Sequence, residues 1–278
     1  MTKIAVLSDV HGNVTALKAV LADAKAHGCE EYWFLGDLFL PGPGTEDLLA
    51  LLDAVPITAY VGGNWESLLL RAIDGPIDAH DPGDVYFAIL GDYIRQHVTV
   101  QTLTRLRQLP QVVTLTRQQL RFQLTHNSRT QNWGPALLPW ADQAAFEELA
   151  TSDADIMLYG HTHHQLLRQT RHGQLIINPG TVGMPFPNWE PFWTDLRAQY
   201  CILTLEAQPV PDVEFRHVPY DAATEMAVAT QRALPYLPLY QDQLEHGNVY
   251  THDDAKLAEM TATLGYASRL TQILHNQD

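Results

Sequence analysis

The chain has 278 residues, 46% hydrophobic and 18% charged, enough to bury a substantial core in one large domain or one domain with an appendage. Its formal charge of −15 argues against a surface that grips nucleic acid or anionic lipid, because such binding needs clustered Lys and Arg. It does not exclude a small anionic substrate if a bound metal inverts the charge locally. There are only two cysteines, Cys29 and Cys201, and no run approaches the roughly 18 apolar residues of a bilayer span. The opening stretch MTKIAVLSD lacks a leader pattern, since its apolar run is short and ends at Asp9. The expectation is a cytoplasmic protein with neither membrane nor nucleic-acid partners.

The first half alternates short apolar strands with amphipathic helices. Ile4–Leu7 predicts a strand, and Val14–Ala26 a helix with Asn13 as N-cap and Gly28 as stop. Tyr32–Leu35 predicts a strand, Thr45–Leu52 a helix, Ile57–Val61 a strand, and Glu66–Ile73 a further helix. That order implies parallel pairing with helices on the sheet faces. The stretch 74–110 breaks the pattern: DGPIDAHDPGD is turn-rich, and Val85–His97 and Thr99–Leu109 look helical. It reads as a helical insertion over the sheet edge.

Val112–Leu115 and Leu120–Thr125 predict a hairpin around Arg117-Gln118. Ala141–Ala150 predicts a helix and Ile156–Tyr159 a strand. Leu166–Gln169 and Leu175–Ile177 predict a second hairpin, turned by Arg171-His172-Gly173. Tyr200–Leu205 and Val213–Val218 are late strands. Beyond Asp221 the chain reads as helical, apart from LPYLPLY and a break over His246–Asp253. The implied organisation is α/β, with two mixed sheets inside and helices outside. Residues 1–205 would form the main domain, and 206–278 a mainly helical C-terminal extension acting as a cap or a dimerisation element.

Chemistry-bearing residues gather just beyond the strands. Asp9 and His11 follow the first, Asp37 the second, Asn64 the third, His126 the hairpin strand, and His161 and His163 the strand of the 150s. In open α/β sheets, loops at the C-terminal strand ends converge to build sites. Taken singly, an Asp-x-His beside a strand reads as a capping or surface feature, a Gly-Asp as a turn signal, and a His-Thr-His equally as a solvated turn or a ligand pair. Five strand ends each offering a ligand type are a different matter. Two Asp, one Asn and four His make a mixed oxygen and nitrogen set without thiolate, suited to Mn²⁺, Fe²⁺, Zn²⁺ or Ni²⁺. Seven ligands exceed one tetrahedral ion and suit two ions sharing a carboxylate. Glycines before Asp37, Asn64 and His161 would let the backbone turn sharply there.

The order DVHGN, GDLFLPGPG, GGNWE, LTHNS, GHTHH, INPGTVG resembles the calcineurin-like metallophosphoesterase superfamily over about residues 3–205, within its small bacterial and archaeal phosphodiesterase branch. The resemblance implies a four-layer αββα sandwich. It implies that Asp9, His11 and His163 hold one divalent ion, that Asn64, His126 and His161 hold a second, and that Asp37 bridges both. Mn²⁺ and Fe²⁺ are the leading candidates. A hydroxide held between the ions would attack phosphorus in an in-line displacement, with Asn64 and Asp37 as catalytic groups. Asn13 would steady the first ligand pair, and the INPGTVG turn would close the sheet behind the site.

Trp65 is the departure. Many members carry a histidine after the Asn to protonate the leaving oxygen, which indole cannot do. Either another group such as His164 serves, or the enzyme is degenerate, or the leaving group needs no acid. An alkoxide leaving group has a conjugate-acid pKa of about 15 against about 6–7 for a phosphate, so the last route favours a phosphoanhydride. Trp65 could stack on a nucleobase or pack at a helix start. His164 and Arg129 are further candidate substrate contacts, as are Arg71 and Arg95. Some relatives with such an insertion and extension resemble diadenosine tetraphosphate hydrolases, which implies a dinucleoside polyphosphate substrate. A metal-bound interaction module of the same fold is the alternative, but there the ligands are usually eroded. A nuclease fits poorly with the net charge. A homo-oligomer stays open.

Overall fold

The computed structural model describes residues 1–151, 153–206 and 210–275. Two five-stranded sheets face each other. The first runs β10-β9-β1-β2-β3 and the second β4-β5-β6-β8-β7. In the first sheet β1 (Thr2–Leu7), β2 (Glu31–Phe34) and β3 (Ile57–Tyr60) are parallel, while β9 (Ala198–Leu205) and β10 (Asp212–Val218) extend it antiparallel. In the second, β5 (Leu120–Thr125), β6 (Ile156–Leu158) and β8 (Leu175–Pro179) are parallel. There β4 (Val112–Arg117) and β7 (Gln165–Gln169) are the antiparallel edges.

The period-two alternation of a strand sorts side chains into layers. Ile4 and Val6 of β1 join Trp33, Leu35, Phe122, Leu124, Ile156, Leu158 and Ile177 between the sheets. Ala5 and Leu7 point the other way, to helices α1 (Val14–Ala26) and α2 (Glu46–Asp53). On the far side Met157 and Ile176 meet Phe146 and Leu149 of α6 (Gln143–Leu149). That is the αββα sandwich expected, with a thinner fourth layer.

The insertion forms a buried strut. Helix α4 (Pro82–His97) is buried continuously from Val85 to Ile94. It lies between α3 (Asn64–Asp74) on one side and α9 (Asp254–Thr263) and α10 (Ala267–His275) on the other. Helix α5 (Val100–Arg107) then returns the chain to β4. The C-terminal segment supplies β10 to the first sheet, and α7 (Ala222–Gln231) and α8 (Leu237–His246) beyond it. Glu225 of α7 is fully buried and accepts hydrogen bonds from Val14 N (3.3 Å) and Thr15 N (2.8 Å) at the start of α1.

Three local expectations shift. Helix α3 starts at Asn64 rather than Glu66, because the Glu66 carboxylate reaches back to the N–H of the N-cap Gly63 at 2.7 Å. The β4–β5 turn sits on Gln118-Gln119, both at positive φ, one residue later than the sequence suggested. LPYLPLY is not a break throughout: α8 begins inside it at Leu237, and Pro238 is tolerated in the first helical turn, where no N–H partner is lost.

Candidate metal centre

All five ligand-bearing segments follow parallel strands of one sheet or the other, so they converge at one edge of the sandwich. Backbone hydrogen bonds lock them together. Asp9 N donates to Gly36 O (2.9 Å), His11 N to Asp37 O (3.0 Å), and Gly160 N to His126 O (2.8 Å). The two sheets are tied at the same place by His161 N, which donates to Asp9 Oδ2 at 3.0 Å.

Asp9, His11, Asp37, His161 and His163 all have φ between 51° and 62°. Left-handed backbone at non-glycine residues costs about 1–2 kcal/mol each and gathers where function over-determines geometry. Gly63 is required by space: a Cβ there would lie 2.0 Å from Asp37 Oδ1. At Gly160 it would lie 2.0 Å from Ser8 Oγ.

Two groups of donors result. In one, Asp9, His11 and His163 bring their ligand atoms within 4.8 Å of one another; in the other, Asp37, His126 and His161 do the same. Asn64 Oδ1 completes the second, 2.9 Å from both His126 Nε2 and His161 Nδ1. Asp37 stands between the groups. Its Oδ1 accepts from Trp65 N at 2.8 Å, which leaves Oδ2 facing His126 Nε2 (3.2 Å) and His11 Nε2 (3.6 Å).

The donor chemistry fits cations. His11, His126 and His163 each direct Nδ1 at a backbone carbonyl, Leu40 O (2.8 Å), Leu35 O (2.7 Å) and Met184 O (2.7 Å) respectively. A carbonyl only accepts, so each Nδ1 carries a hydrogen, and in the neutral form of each ring the lone pair is at Nε2. The lone pairs of His11 and His163 then face each other at 3.1 Å. Asp9 Oδ1 is buried without a hydrogen bond of good geometry, although His163 Nε2 is 3.1 Å away. Electron-rich atoms crowded in this way need positive charge among them.

Proton affinities follow the same field. Burial alone would raise Asp9 and Asp37, but the surrounding imidazoles, His163 for Asp9 and His126 for Asp37, hold both below the usual carboxylate range. Burial opposes charge on His126, yet Asp37 and then Asp9 push it up to about 10. Burial, and then the positive charge of His126, push His161 down to about 4.

The supporting residues are less obvious in sequence. Asn13 caps α1 by accepting from Ala16 N at 2.9 Å and is fully buried. Glu66, 2% exposed, accepts from Gly63 N (2.7 Å), Leu38 N (2.7 Å) and Asp37 N (2.9 Å), so one carboxylate pins two ligand loops. Burial and the Asp37 charge push it up to about 7 against those three bonds. The INPGTVG turn binds the first and last loops. Thr181 Oγ1 donates to Asp9 O (2.8 Å), and Asn178 Nδ2 to Gly160 O (2.7 Å). Only the Gly and Asn of that turn are visible in sequence as turn signals; the partners are not.

The candidate substrate contacts divide. Trp65 does not offer a ring face for stacking. It is buried edge-on against His11 (5.0 Å) and Phe87 (5.1 Å), and what remains looks onto a cavity of about 10 Å³, room for one water at most. Arg71 and Arg95 are engaged in the insertion, by Asp84 (2.5 Å) and Asp92 (2.7 Å). Arg129 is exposed on the segment after His126. His164 is half-buried beside His163, with Asn188 Nδ2 3.3 Å from its Nε2. Burial, the largest effect, lowers its pKa.

The family model of the calcineurin-like phosphoesterase superfamily domain matches residues 2–208. Among curated proteins the chain is similar to the uncharacterized protein MJ0912 of Methanocaldococcus jannaschii, 23% identical over 215 residues, covering 72% of this chain and 81% of that one. Among solved structures it is similar to a metallophosphoesterase from Sphaerobacter thermophilus (TM-score 0.68, 24% identity, 89% of this chain and 100% of the other). It is also similar to hypothetical protein PH1004 from Pyrococcus horikoshii (TM-score 0.69, 21% identity, 89% and 99%). These structural likenesses bear on the fold, and the family match, spanning most of the chain and all the candidate ligands, bears on descent. The chain belongs to the calcineurin-like phosphoesterase superfamily.

Proposed function

We propose that this chain is a binuclear metal-dependent phosphohydrolase that cleaves phosphodiester or phosphoanhydride bonds of a small nucleotide-like substrate, a dinucleoside polyphosphate being the leading candidate. The observation that carries the reading is Asp37 Oδ2, held between two complete donor groups at 3.2 and 3.6 Å from imidazoles of each. Two divalent ions there, Mn²⁺ or Fe²⁺ before Zn²⁺ or Ni²⁺, would supply Lewis acidity and lower the pKa of water.

The chain's own residues then do the rest. Asp9, His11 and His163 would hold one ion and Asn64, His126 and His161 the other, and the backbone carbonyls of Leu40, Leu35 and Met184 keep the rings of His11, His126 and His163 aimed. Asn64 and His161, the half-buried members, mark the open side where a phosphoryl group enters. The Asn64 amide nitrogen would donate to a phosphoryl oxygen. Trp65, buried beside His11, excludes water there and has no proton to give at the leaving oxygen. That favours a leaving group stable as an anion, a phosphate or nucleotide over an alkoxide. The net charge of −15 favours a small substrate over a nucleic acid. Among the described residues no helix is long and apolar enough to cross a membrane.

The test is a panel run with manganese-loaded protein before and after chelation: a phosphomonoester, bis-p-nitrophenyl phosphate, and a dinucleoside polyphosphate. Chelator-sensitive hydrolysis, fastest on the anhydride, is expected. No metal-dependent turnover of any of them would favour a non-catalytic interaction module. Equal or reversed rates between anhydride and diester would remove the polyphosphate assignment alone.

A further inference from the structure

Tryptophan is among the most buried side chains on average, yet four of the six here are more than half exposed. Trp133 is 60% exposed, Trp140 63%, Trp189 66% and Trp193 52%, and Phe192 joins them at 62%. They are not scattered. Trp133 and Trp140 lie on the segment that leaves His126, and the others on the segment that leaves Met184, whose carbonyl aims His163.

Both segments are fastened to the metal centre. Asn132 Nδ2 donates to Gly63 O at 2.9 Å, next to Asn64. The Trp140 and His164 rings meet nearly perpendicular, with centroids 5.8 Å apart. From the other segment Phe186 meets the rings of His163 (4.9 Å) and His164 (5.3 Å), and Asn188 approaches His164. His164 is therefore the floor on which the two aromatic segments meet, one residue from a candidate metal ligand.

Resting on the phosphohydrolase reading, we infer that these two segments form an aromatic cradle at the mouth of the metal centre that binds the nucleobase of the substrate, with Trp140 and His164 as its contacts. Exposed aromatic rings stack on any base face and tolerate sequence. The cradle adjoins the metal centre through His164, next in the chain to His163, and through Phe186, which meets both rings. Asn188 supplies an amide beside His164, and Arg129 an exposed cation on the segment that leaves His126. This moves base recognition from Trp65, which is buried, to His164, already a candidate contact in the sequence, and Trp140, which the sequence did not single out.

The experiment is equilibrium binding of adenosine 5′-monophosphate and ribose 5-phosphate to the manganese-loaded protein, by calorimetry and tryptophan fluorescence, with Trp140→Ala, Trp140→Phe and sedimentation of each. The expected result is that the nucleotide binds more tightly than the sugar phosphate by about tenfold or more. Trp140→Ala should remove that preference and Trp140→Phe keep most of it. Equal binding of the two ligands overturns the inference, as does equal weakening of both in Trp140→Ala. A dimer that Trp140→Ala dissolves without changing nucleotide affinity also overturns it, and assigns the rim to self-association. Failure here is separable from failure of the reaction: turnover of bis-p-nitrophenyl phosphate can persist without base preference, and base preference without turnover.

Discussion

Glu66 offers the most exacting test of how the centre is held. Its carboxylate is the shared acceptor for three backbone N–H groups, those of Gly63, Asp37 and Leu38, at 2.7–2.9 Å. Glu66→Ala would leave three buried donors unpaired. Each lost partner costs about 1–3 kcal/mol, offset in part because a carboxylate no longer has to be buried, for a net of about 3–5 kcal/mol. For a chain of this size that is a fall in Tm of about 6–10 °C at about 2 °C per kcal/mol. Glu66→Gln keeps one acceptor oxygen but sets an amide N–H₂ against a donor, and should lose about half as much. Because Asp37 and Gly63 move when released, metal affinity should also drop, by about 10–100-fold. Thermal denaturation and manganese titration of the three proteins measure both effects. Melting of both variants within about 1 °C of the parent, with unchanged metal affinity, would refute the idea that Glu66 positions the bridging loop.

Other expectations follow from single contacts. Asp37→Ala should reduce metal-dependent turnover further than His11→Ala, because Asp37 faces both donor groups; a retained rate in Asp37→Ala contradicts its placement between them. Gly63→Ala drives a methyl against the Asp37 carboxylate, so it should lose manganese binding while Gly173→Ala, with open space around it, keeps it. Chelation should lower Tm, since five ligand residues sit in left-handed backbone and two imidazole lone pairs face each other. At about a thousandfold excess of metal over Kd the loss is about 4 kcal/mol. Differential scanning with and without chelator decides this, and identical curves would count against a metal centre.

Asp23 gives a pH dependence away from the centre. Burial would raise its pKa, but hydrogen bonds from Arg216 (3.0 and 3.1 Å) and Tyr200 OH (2.6 Å) outweigh that and lower it. A carboxyl with a lower pKa when folded adds stability above the unfolded value, about 3.9, and loses it as pH falls through the folded value. The Tm gap between the parent and Asp23→Asn should therefore be full at pH 7 and close below about pH 4. A constant gap across that range would show that the ion pair is not its source.

Much of the centre was legible because ligand type and strand end are both local signals. The seven candidate ligands, Asp9, His11, Asp37, Asn64, His126, His161 and His163, each follow a short apolar run, and the chain folds those runs into parallel strands. Helix α1 could be read to its ends because Asn13 and Gly28 punctuate it. What could not be read depends on distant partners. Glu66 looks like an ordinary first-turn acid until Asp37 and Leu38 are seen donating to it. Glu225 lies over 200 positions from the helix it caps. Trp65 was a candidate base platform only because nothing in sequence revealed that Phe87 and His11 bury it, and nothing revealed that Trp140 and Trp189 stay in solvent. The turn at Gln118-Gln119 lacks the glycine that would have announced it.

The most direct measurement is metal stoichiometry. The metal-stripped protein, titrated with manganese and weighed by elemental analysis after desalting, should hold two ions per chain, and Asp37→Ala should hold fewer than two. A parent protein that retains one ion or none, or an Asp37→Ala variant that keeps both with parental affinity, would contradict a centre built on a shared Asp37.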